Sequence, residues 1–186
     1  MTPSGHGPMA PEGYARRRSS RAAGDAVWRD TLTGTQDHLP GAVVVGYDGS
    51  DASSGAVDWA AAEAERTGNR LELVTAWEYP ASWGTVIPLP NDYDPAADAQ
   101  AMVDPVVDQL HTSHPTLRIH AHVVEGHPSD VLREASRHAS LLVVASRGHS
   151  TFSGMVLGSV SQFCVTHAAC PVVVFRRPVE DRADQT

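Results

Sequence analysis

From residue 41 onward, short apolar runs alternate with segments in which apolar residues recur at helical spacing. Residues 42–46 form a continuous apolar run, which is typical of a parallel strand buried on both faces. A polar turn follows at 47–51. The next apolar residues then recur every three or four positions up to Gly68, which is expected to end a helix.

This alternation continues to residue 176. It predicts further strands at about 70–77, 117–123, 141–145 and 171–176, and further helices at about 95–111, 128–135 and 158–168. Residues 79–94 are expected to form a long loop. Pro105 lies inside the predicted helix 95–111 and should break or kink it.

Strands that alternate with helices predict an α/β protein. The expected fold is a doubly wound, five-stranded parallel sheet of Rossmann-like type, with helices on both faces. In such a sheet a ligand binds beyond the carboxyl ends of the strands, at the point where the strand order reverses. The loops at 47–51 and 146–159 follow two predicted strands and are therefore the candidate binding loops.

The two ends of the chain differ from this pattern. Residues 1–40 are rich in Gly, Pro, Ser and Arg without apolar periodicity, so a disordered tail is expected there. The domain is expected over residues 41–177, and a polar C-terminal tail over 178–186. The longest apolar runs have about five residues, far fewer than the roughly 20 that a membrane span needs, so no membrane segment is expected.

The charged residues exclude several kinds of binding site and argue against one class of partner. The 186 residues include 14 basic and 22 acidic side chains, a net charge of -8, and every basic one is Arg. Without lysine the chain has neither a Walker A phosphate loop nor Schiff-base chemistry. Residues 41–186 hold nine Arg against 18 acidic residues, and such an acidic domain argues against nucleic acid as a partner.

Cysteine and histidine suggest no metal site. Cys164 and Cys170 form neither a disulfide framework nor a CxxC pair, so we expect two thiols in a reducing cytoplasm. Among the ten histidines, His120 and His122 share one face of the predicted third strand, whose apolar residues would occupy the other face. Both are therefore expected to be exposed on a polar face, without a metal.

The segment after the fourth predicted strand is the strongest candidate site. It contains glycines and small hydroxyl residues and enters a helix at Gly158 and Ser159. A helix start offers unpaired N–H groups and the positive end of the helix dipole, glycines allow close approach of the backbone, and Arg147 adds charge. These features predict a phosphate site built mainly from backbone. An ordinary glycine-rich loop in which Ser159 only caps the helix would also explain them.

This segment resembles the signature of the universal stress protein family, G-x2-G-x9-G-S/T. Gly148, Gly158 and Ser159 match it with the nine-residue spacer. Further similar segments occur in the family's order at 45–50, 124–128, 160–161 and 170–174. The resemblance covers about residues 41–177 and implies an adenine-nucleotide alpha hydrolase-like fold.

The resemblance also implies a ligand, ATP, with any Mg²⁺ or Mn²⁺ carried by its phosphates. Asp48 would accept hydrogen bonds from the ribose or lie beside the base, or it would only stabilise its own turn. Gly46 would let the base lie close to the strand, and the backbone of Ala76 would contact adenine. The site residues implied in this way are Gly46, Asp48, Ala76, Ala145, Arg147, Gly148, Gly158, Ser159, Val160 and Ser161.

One position departs from the signature, because its first glycine is Ala145 in this chain. In ATP-binding members of the family this position lies against the nucleotide. A methyl group there would crowd the ligand or exclude an unusual backbone angle. Ala145 is therefore the residue that argues most directly against ATP.

We weigh three functions against these features. The first is a nucleotide-binding stress-response protein that acts by conformation or partner choice. It would hydrolyse ATP slowly at most, since no hydrolytic motif or general base accompanies the loop. The second is a nucleotide-free dimeric interaction protein of the same family, which Ala145 favours. The third, an adenylating enzyme, would need a second catalytic domain for which this length leaves no room.

The final strand predicts how two chains associate. Residues 171–176 are apolar almost throughout, and a last strand can lie at the edge of a sheet, where an uncovered apolar strand promotes aggregation. Pairing of two such edges about a two-fold axis would cover both. Many members of the family dimerise through this strand, so a homodimer is expected. The alternative is an internal strand with its own chain on both sides.

Overall fold

The computed structural model describes residues 41–79, 93–146 and 157–176. The predicted tails, and the signature residues Arg147 and Gly148, lie outside these ranges. The strands are β1 (Ala42–Gly46), β2 (Arg70–Trp77), β3 (Ile119–Glu125), β4 (Ala139–Ala145) and β5 (Val172–Phe175). The α-helices are α1 (Asp51–Thr67), α2 (Pro95–Ser113), α3 (Pro128–Ala135) and α4 (Ser159–His167), and a 3-10 turn spans Ser136–His138.

All five strands form one parallel sheet in the order β3-β2-β1-β4-β5. The chain first builds outward from β1 to β3 and then returns to place β4 on the other side of β1. The strand order therefore reverses between β1 and β4. This arrangement confirms the predicted α/β class and the doubly wound, five-stranded parallel sheet, with the strand ends differing by a few residues.

Small residues let α1 lie close to the sheet. Ser50 caps its start by accepting a hydrogen bond from the Ser53 amide at 3.2 Å, and Gly68 ends it with a φ of 68°. Between these ends α1 buries a stripe of alanines and one valine against one face of the sheet. That face is the main core, to which β1 contributes Val43 and Val45 and β2 contributes Leu71 and Leu73.

Pro105 does not break α2, which runs without interruption from Pro95 to Ser113. A proline removes the amide that would bond the carbonyl four residues earlier, here that of Ala101. Both Pro105 and Ala101 are exposed, so water can hydrogen bond to the freed carbonyl. A break at Pro105 is therefore wrong, because the proline lies on the solvent side of the helix, and a kink there stays a prediction.

The face of β2 and β3 opposite the main core carries a buried polar cluster. Glu72 is only 2% exposed and accepts a hydrogen bond from Arg70 Nε at 2.5 Å. Its other neighbours come from β3: His122 Nε2 lies 2.5 Å from Oε2, and His120 Nδ1 lies 3.3 Å from Oε1. The strand register places His120 directly beside Glu72. This carboxylate therefore organises two neighbouring strands.

The prediction that both histidines are exposed is wrong for His122, which is 8% exposed, whereas the side chain of His120 is half exposed. His122 is buried because Glu72 provides a hydrogen-bond partner on the adjacent strand. Within the described residues, no group of three or more His, Cys, Asp or Glu side chains could hold a metal ion. None of the described helices is both long and apolar enough to cross a membrane.

We predict that Glu72 makes the stability of the fold depend on pH. Burial alone would raise the pKa of Glu72, but hydrogen bonds from His122 and Arg70 together hold this pKa below its usual value of 4.5. A lowered pKa stabilises the folded state above the unfolded-state pKa, and this contribution is lost as the pH falls through the folded-state pKa. Glu72→Gln should therefore lower the free energy of unfolding at pH 7 by about 1–3 kcal/mol, measured by urea denaturation.

The difference between the two proteins should shrink as the pH falls below about 4.5. Glu63→Gln is the matched control, because Glu63 pairs with the exposed Arg66 on the surface of α1. This control should change stability far less at every pH. A Glu72→Gln effect of the same size at neutral and acidic pH would contradict the assignment.

Candidate functional site

One cleft lies at the carboxyl ends of the strands, at the point where the strand order reverses. Its cavity volume is about 200 Å³, with β1, β2 and β4 forming the floor and α3 and α4 forming the walls. Of the ten predicted site residues, eight line this cleft, and Arg147 and Gly148 lie outside the described residues. These eight are Gly46, Asp48, Ala76, Ala145, Gly158, Ser159, Val160 and Ser161. Their role in binding stays a prediction.

Six further residues line the cleft that were not among the ten predicted site residues, although Tyr47 belongs to the candidate binding loop 47–51. These six are Tyr47, Ser53, Val74, Pro128, Leu132 and Val144. Val74 could have been found, because it lies two positions before Ala76 and therefore shares its face of β2. Pro128 and Leu132 belong to α3, whose position over the sheet depends on the strand order. No local pattern identifies such residues.

The turn after β1 is organised by the Asp48 carboxylate. Asp48 Oδ1 accepts hydrogen bonds from the Ser50 amide at 3.1 Å and from Ser50 Oγ at 2.6 Å. Ser50 in turn caps α1. The structure therefore shows the turn-stabilising role that the sequence left open for Asp48, and contact with a ribose stays a prediction.

Two buried hydroxyl groups hold this turn, one to the sheet and one to the start of α1. Thr75, on β2, donates to the Tyr47 carbonyl at 3.0 Å, and Ser53 donates to the Ser50 carbonyl at 2.8 Å. The Tyr47 amide adds a hydrogen bond to the Val74 carbonyl at 2.9 Å. The backbone on both sides of Asp48 is thus held by side chains that are themselves 1% and 2% exposed.

The opposite side of the cleft is the first turn of α4. Gly158 is its N-cap residue, with φ -68° and ψ 158°, and its amide donates to the Ser146 carbonyl at 2.8 Å. Ser159 is therefore the first helical residue and not the cap that one interpretation of the sequence assumed. Because Gly158 has no side chain, it cannot bond the first-turn amides as a Ser or Asp cap would.

Ser161 connects this helix to β4. It is 4% exposed, and its Oγ donates to the Ala145 carbonyl at 2.5 Å. Its proton is thus used within the protein, although the sequence suggested a hydroxyl donor for a ligand. Ser161 holds the start of α4 against the end of β4, and its backbone amide belongs to the first turn of the helix.

Gly46 and Ala145 lie on neighbouring strands at the bottom of the cleft. The space beside Gly46 is occupied by Leu132: a Cβ atom built on Gly46 would lie 3.0 Å from Leu132 Cδ1. Ala145 lines the cleft at the end of β4 and is partly exposed. The cleft floor is therefore apolar, and its polar groups lie at the two ends.

The described residues of the cleft include few groups for proton transfer or nucleophilic attack. Asp48 is the only carboxylate among those that line it. Cys164 is completely buried in α4, and burial, with a smaller effect of Cys170, raises the pKa of this thiol to about 11. A thiolate nucleophile is therefore not available at Cys164.

The model of the universal stress protein family matches residues 41–176 of this chain. A universal stress protein of Mycobacterium tuberculosis is 35% identical to it over 144 residues, which cover 76% of this chain and 45% of that protein. The chain spans about half the length of the curated relatives it matches.

Solved structures show the same fold. A universal stress protein crystallised in complex with cAMP is 30% identical, with a TM-score of 0.56 over 73% of this chain and 95% of that one. The universal stress protein UspA from Lactobacillus plantarum has a TM-score of 0.60 and 20% identity, covering 75% of this chain and 100% of that one. At that identity the second likeness concerns the fold alone.

Proposed function

The chain belongs to the universal stress protein family, and we propose that its cleft binds an adenine nucleotide, with ATP as the preferred ligand. The observation that carries this proposal is a single cleft that joins an apolar floor to the first turn of α4. The related protein that is 30% identical and crystallised with cAMP supports an adenine nucleotide as the ligand class.

The phosphates would bind at the α4 end. The amides of Ser159, Val160 and Ser161 form the first helical turn, where backbone N–H groups have no intrahelical acceptor. The helix dipole adds a positive potential at the same place, so this end favours an anion without needing lysine. Arg147 and Gly148 would complete the phosphate loop. Any Mg²⁺ or Mn²⁺ would be carried by the phosphates.

The base and ribose would bind over the ends of β1 and β2. Val74 and Ala76 line the floor there, and Asp48 lies at the end of β1. A carboxylate at this position accepts hydrogen bonds from ribose hydroxyl groups, and an apolar floor suits the face of a base. In the protein as described, Asp48 Oδ1 also accepts the two hydrogen bonds from Ser50 that stabilise the turn.

We propose a regulatory rather than an enzymatic role. Nucleotide binding would change the conformation of the cleft loops or the choice of partner during stress, and hydrolysis would be slow at most. This follows because Asp48, the only carboxylate among the described lining residues, is engaged in the turn. A cytoplasmic location belongs to the same proposal, because both cysteines are free thiols.

A nucleotide-free interaction protein is the second candidate, and Ala145 is the observation that favours it. Its methyl group lies at a lining position of the cleft, where the family signature has glycine. A carbon atom there removes space from a cavity of only about 200 Å³. Binding experiments on the purified protein separate the two candidates.

We also propose a homodimer through β5. This strand ends the sheet order, and its four residues are all half-buried. Leu142 and Ser146 donate amide hydrogen bonds to the Pro171 and Phe175 carbonyls, at 3.0 and 2.7 Å. Because the backbone groups of successive residues in a strand point to opposite sides, the N–H and C=O groups of Val172 and Val174 point away from β4. Two such edges can pair about a two-fold axis.

The nucleotide proposal predicts that Gly158→Val abolishes binding. A valine tolerates the extended backbone angles of Gly158, but its side chain would cover the first-turn amides. Isothermal titration with ATP should show a Kd at least about tenfold higher than that of the wild type. The matched control is Ala168→Val at the other end of α4, where φ is -66° and ψ is 149°, and where no effect is expected.

Denaturing the purified wild-type protein and analysing the supernatant tests the same proposal independently. Near-stoichiometric adenine nucleotide supports it. If ATP, AMP and cAMP neither co-purify nor bind on titration, the nucleotide-free candidate is correct. Unchanged ATP affinity in a folded Gly158→Val protein would show that the start of α4 does not bind the nucleotide.

Ala145→Gly should raise the affinity for ATP if the methyl group crowds the nucleotide. Removing one methyl from a tight pocket changes affinity by a few-fold to about tenfold. Ala139→Gly is the matched control, since it removes a methyl group from the first residue of the same strand, away from the cleft. Equal affinities of wild type and Ala145→Gly would mean that the cleft tolerates the methyl group.

If the protein is a homodimer, light scattering should give a mass twice that of one chain. Val174→Pro should reduce it to the mass of one chain, because proline removes an amide that points outward and is not used by β4. Val174→Thr keeps that amide and the branched shape, and should remain dimeric. Val173 is unsuitable for this test because it packs on the main core. A wild-type monomer at micromolar concentration would refute the dimer.

A further inference from the structure

The side chain of Leu132 fills the space above the end of β1. A Cβ atom added to Gly46 would lie 3.0 Å from Leu132 Cδ1 and 3.3 Å from Cδ2, closer than ordinary contact. Leu132 is 5% exposed, and part of its surface lines the cleft. Packing within the protein therefore explains the glycine at residue 46, because Leu132 occupies the space that a side chain would need.

We infer that Leu132 determines the shape of the base subsite. In this inference Gly46 is needed for the packing of Leu132, and the base of a bound nucleotide lies against the Leu132 side chain and not on the Gly46 backbone. The inference rests on the nucleotide binding proposed above and deepens it. It differs from what the sequence suggested, namely that Gly46 lets the base approach the strand.

The position of Leu132 is held from both ends of α3. At its start, the Gly126 amide donates to the Trp77 carbonyl of β2 at 2.8 Å. Just after its end, Ser136 Oγ accepts a hydrogen bond from the Ala169 amide at 2.9 Å, which connects α3 to the segment after α4. A side chain on a helix fixed in this way forms a preorganised wall and not a group that moves aside at little cost.

The opposite surface of the subsite is suited to a flat aromatic ligand. Val74 and Ala76 project from β2 into the same cleft, on the same face of the strand. The ring of a base placed over them would contact Leu132 at its edge or face, and contacts with an aliphatic side chain are short-range. Changes in the bulk of Leu132 should therefore affect the base and not the phosphates.

A double-mutant cycle separates the two roles of Gly46. The four proteins are the wild type, Gly46→Ala, Leu132→Ala and the double variant, and the measured quantity is the Kd for ATP. Gly46→Ala alone should weaken ATP binding by about tenfold, because the new methyl pushes Leu132 into the cleft. In the Leu132→Ala background the same change should have little effect, because the space beside residue 46 is then empty.

Inorganic tripolyphosphate is the second probe, since it contacts only the phosphate end of the site. Its affinity should be the same in all four proteins, and melting curves should show that each is folded. A Gly46→Ala effect on ATP of equal size in both backgrounds would mean that the base contacts Gly46 directly, and would overturn the inference. Equal losses of ATP and tripolyphosphate affinity would overturn it as well.

A measurement on the wild type does not depend on whether the variants fold. With methyl-labelled leucine, the base protons H2 or H8 of bound ATP should give nuclear Overhauser effects to the Leu132 methyl groups. Bound ATP without such contacts would refute the role of Leu132 while leaving the proposed function intact. A wild-type protein that binds neither ATP nor tripolyphosphate would instead refute the proposed function.

Discussion

The right-handed crossover between parallel strands is the constraint on which the rest of this structure depends. Moving outward from β1 to β3 with this handedness places α1 and α2 on one face of the sheet. Returning to β4 reverses the direction, so α3 and α4 cover the other face. The connections after β1 and β4 therefore leave the sheet on opposite sides, and the cleft lies between them.

In the proposed nucleotide site, backbone groups would do what lysine does in other phosphate sites. The chain has no lysine, and its domain is acidic, yet the first turn of α4 faces the cleft with amides that Gly158 cannot cap. The surrounding hydroxyl groups are used mostly to position these elements: Ser161 connects α4 to β4, and Thr75 and Ser53 hold the turn of Asp48. Residues of the proposed site thus also hold the fold together.

The two edge strands of the sheet differ in polarity. At one edge β3 carries His120 and His122, which engage the buried Glu72 of β2 and make that side polar. At the other edge β5 is short and apolar, and it is the last strand of the described sheet. Polar residues at an edge discourage association, whereas an apolar edge favours it, and the proposed homodimer therefore uses β5.

The sequence by itself determined the strands, the helices and the fold class, because apolar periodicity and caps such as Gly68 act over a few neighbouring residues. It also placed Asp48 just after the first strand and Gly158 at the start of the last helix. Only the tertiary structure decided what depends on distant partners: that His122 is buried against Glu72, that Pro105 lies on the solvent side of α2, and that Leu132 packs on Gly46. These contacts join residues far apart in the chain, and their formation depends on the strand order, which no local pattern records.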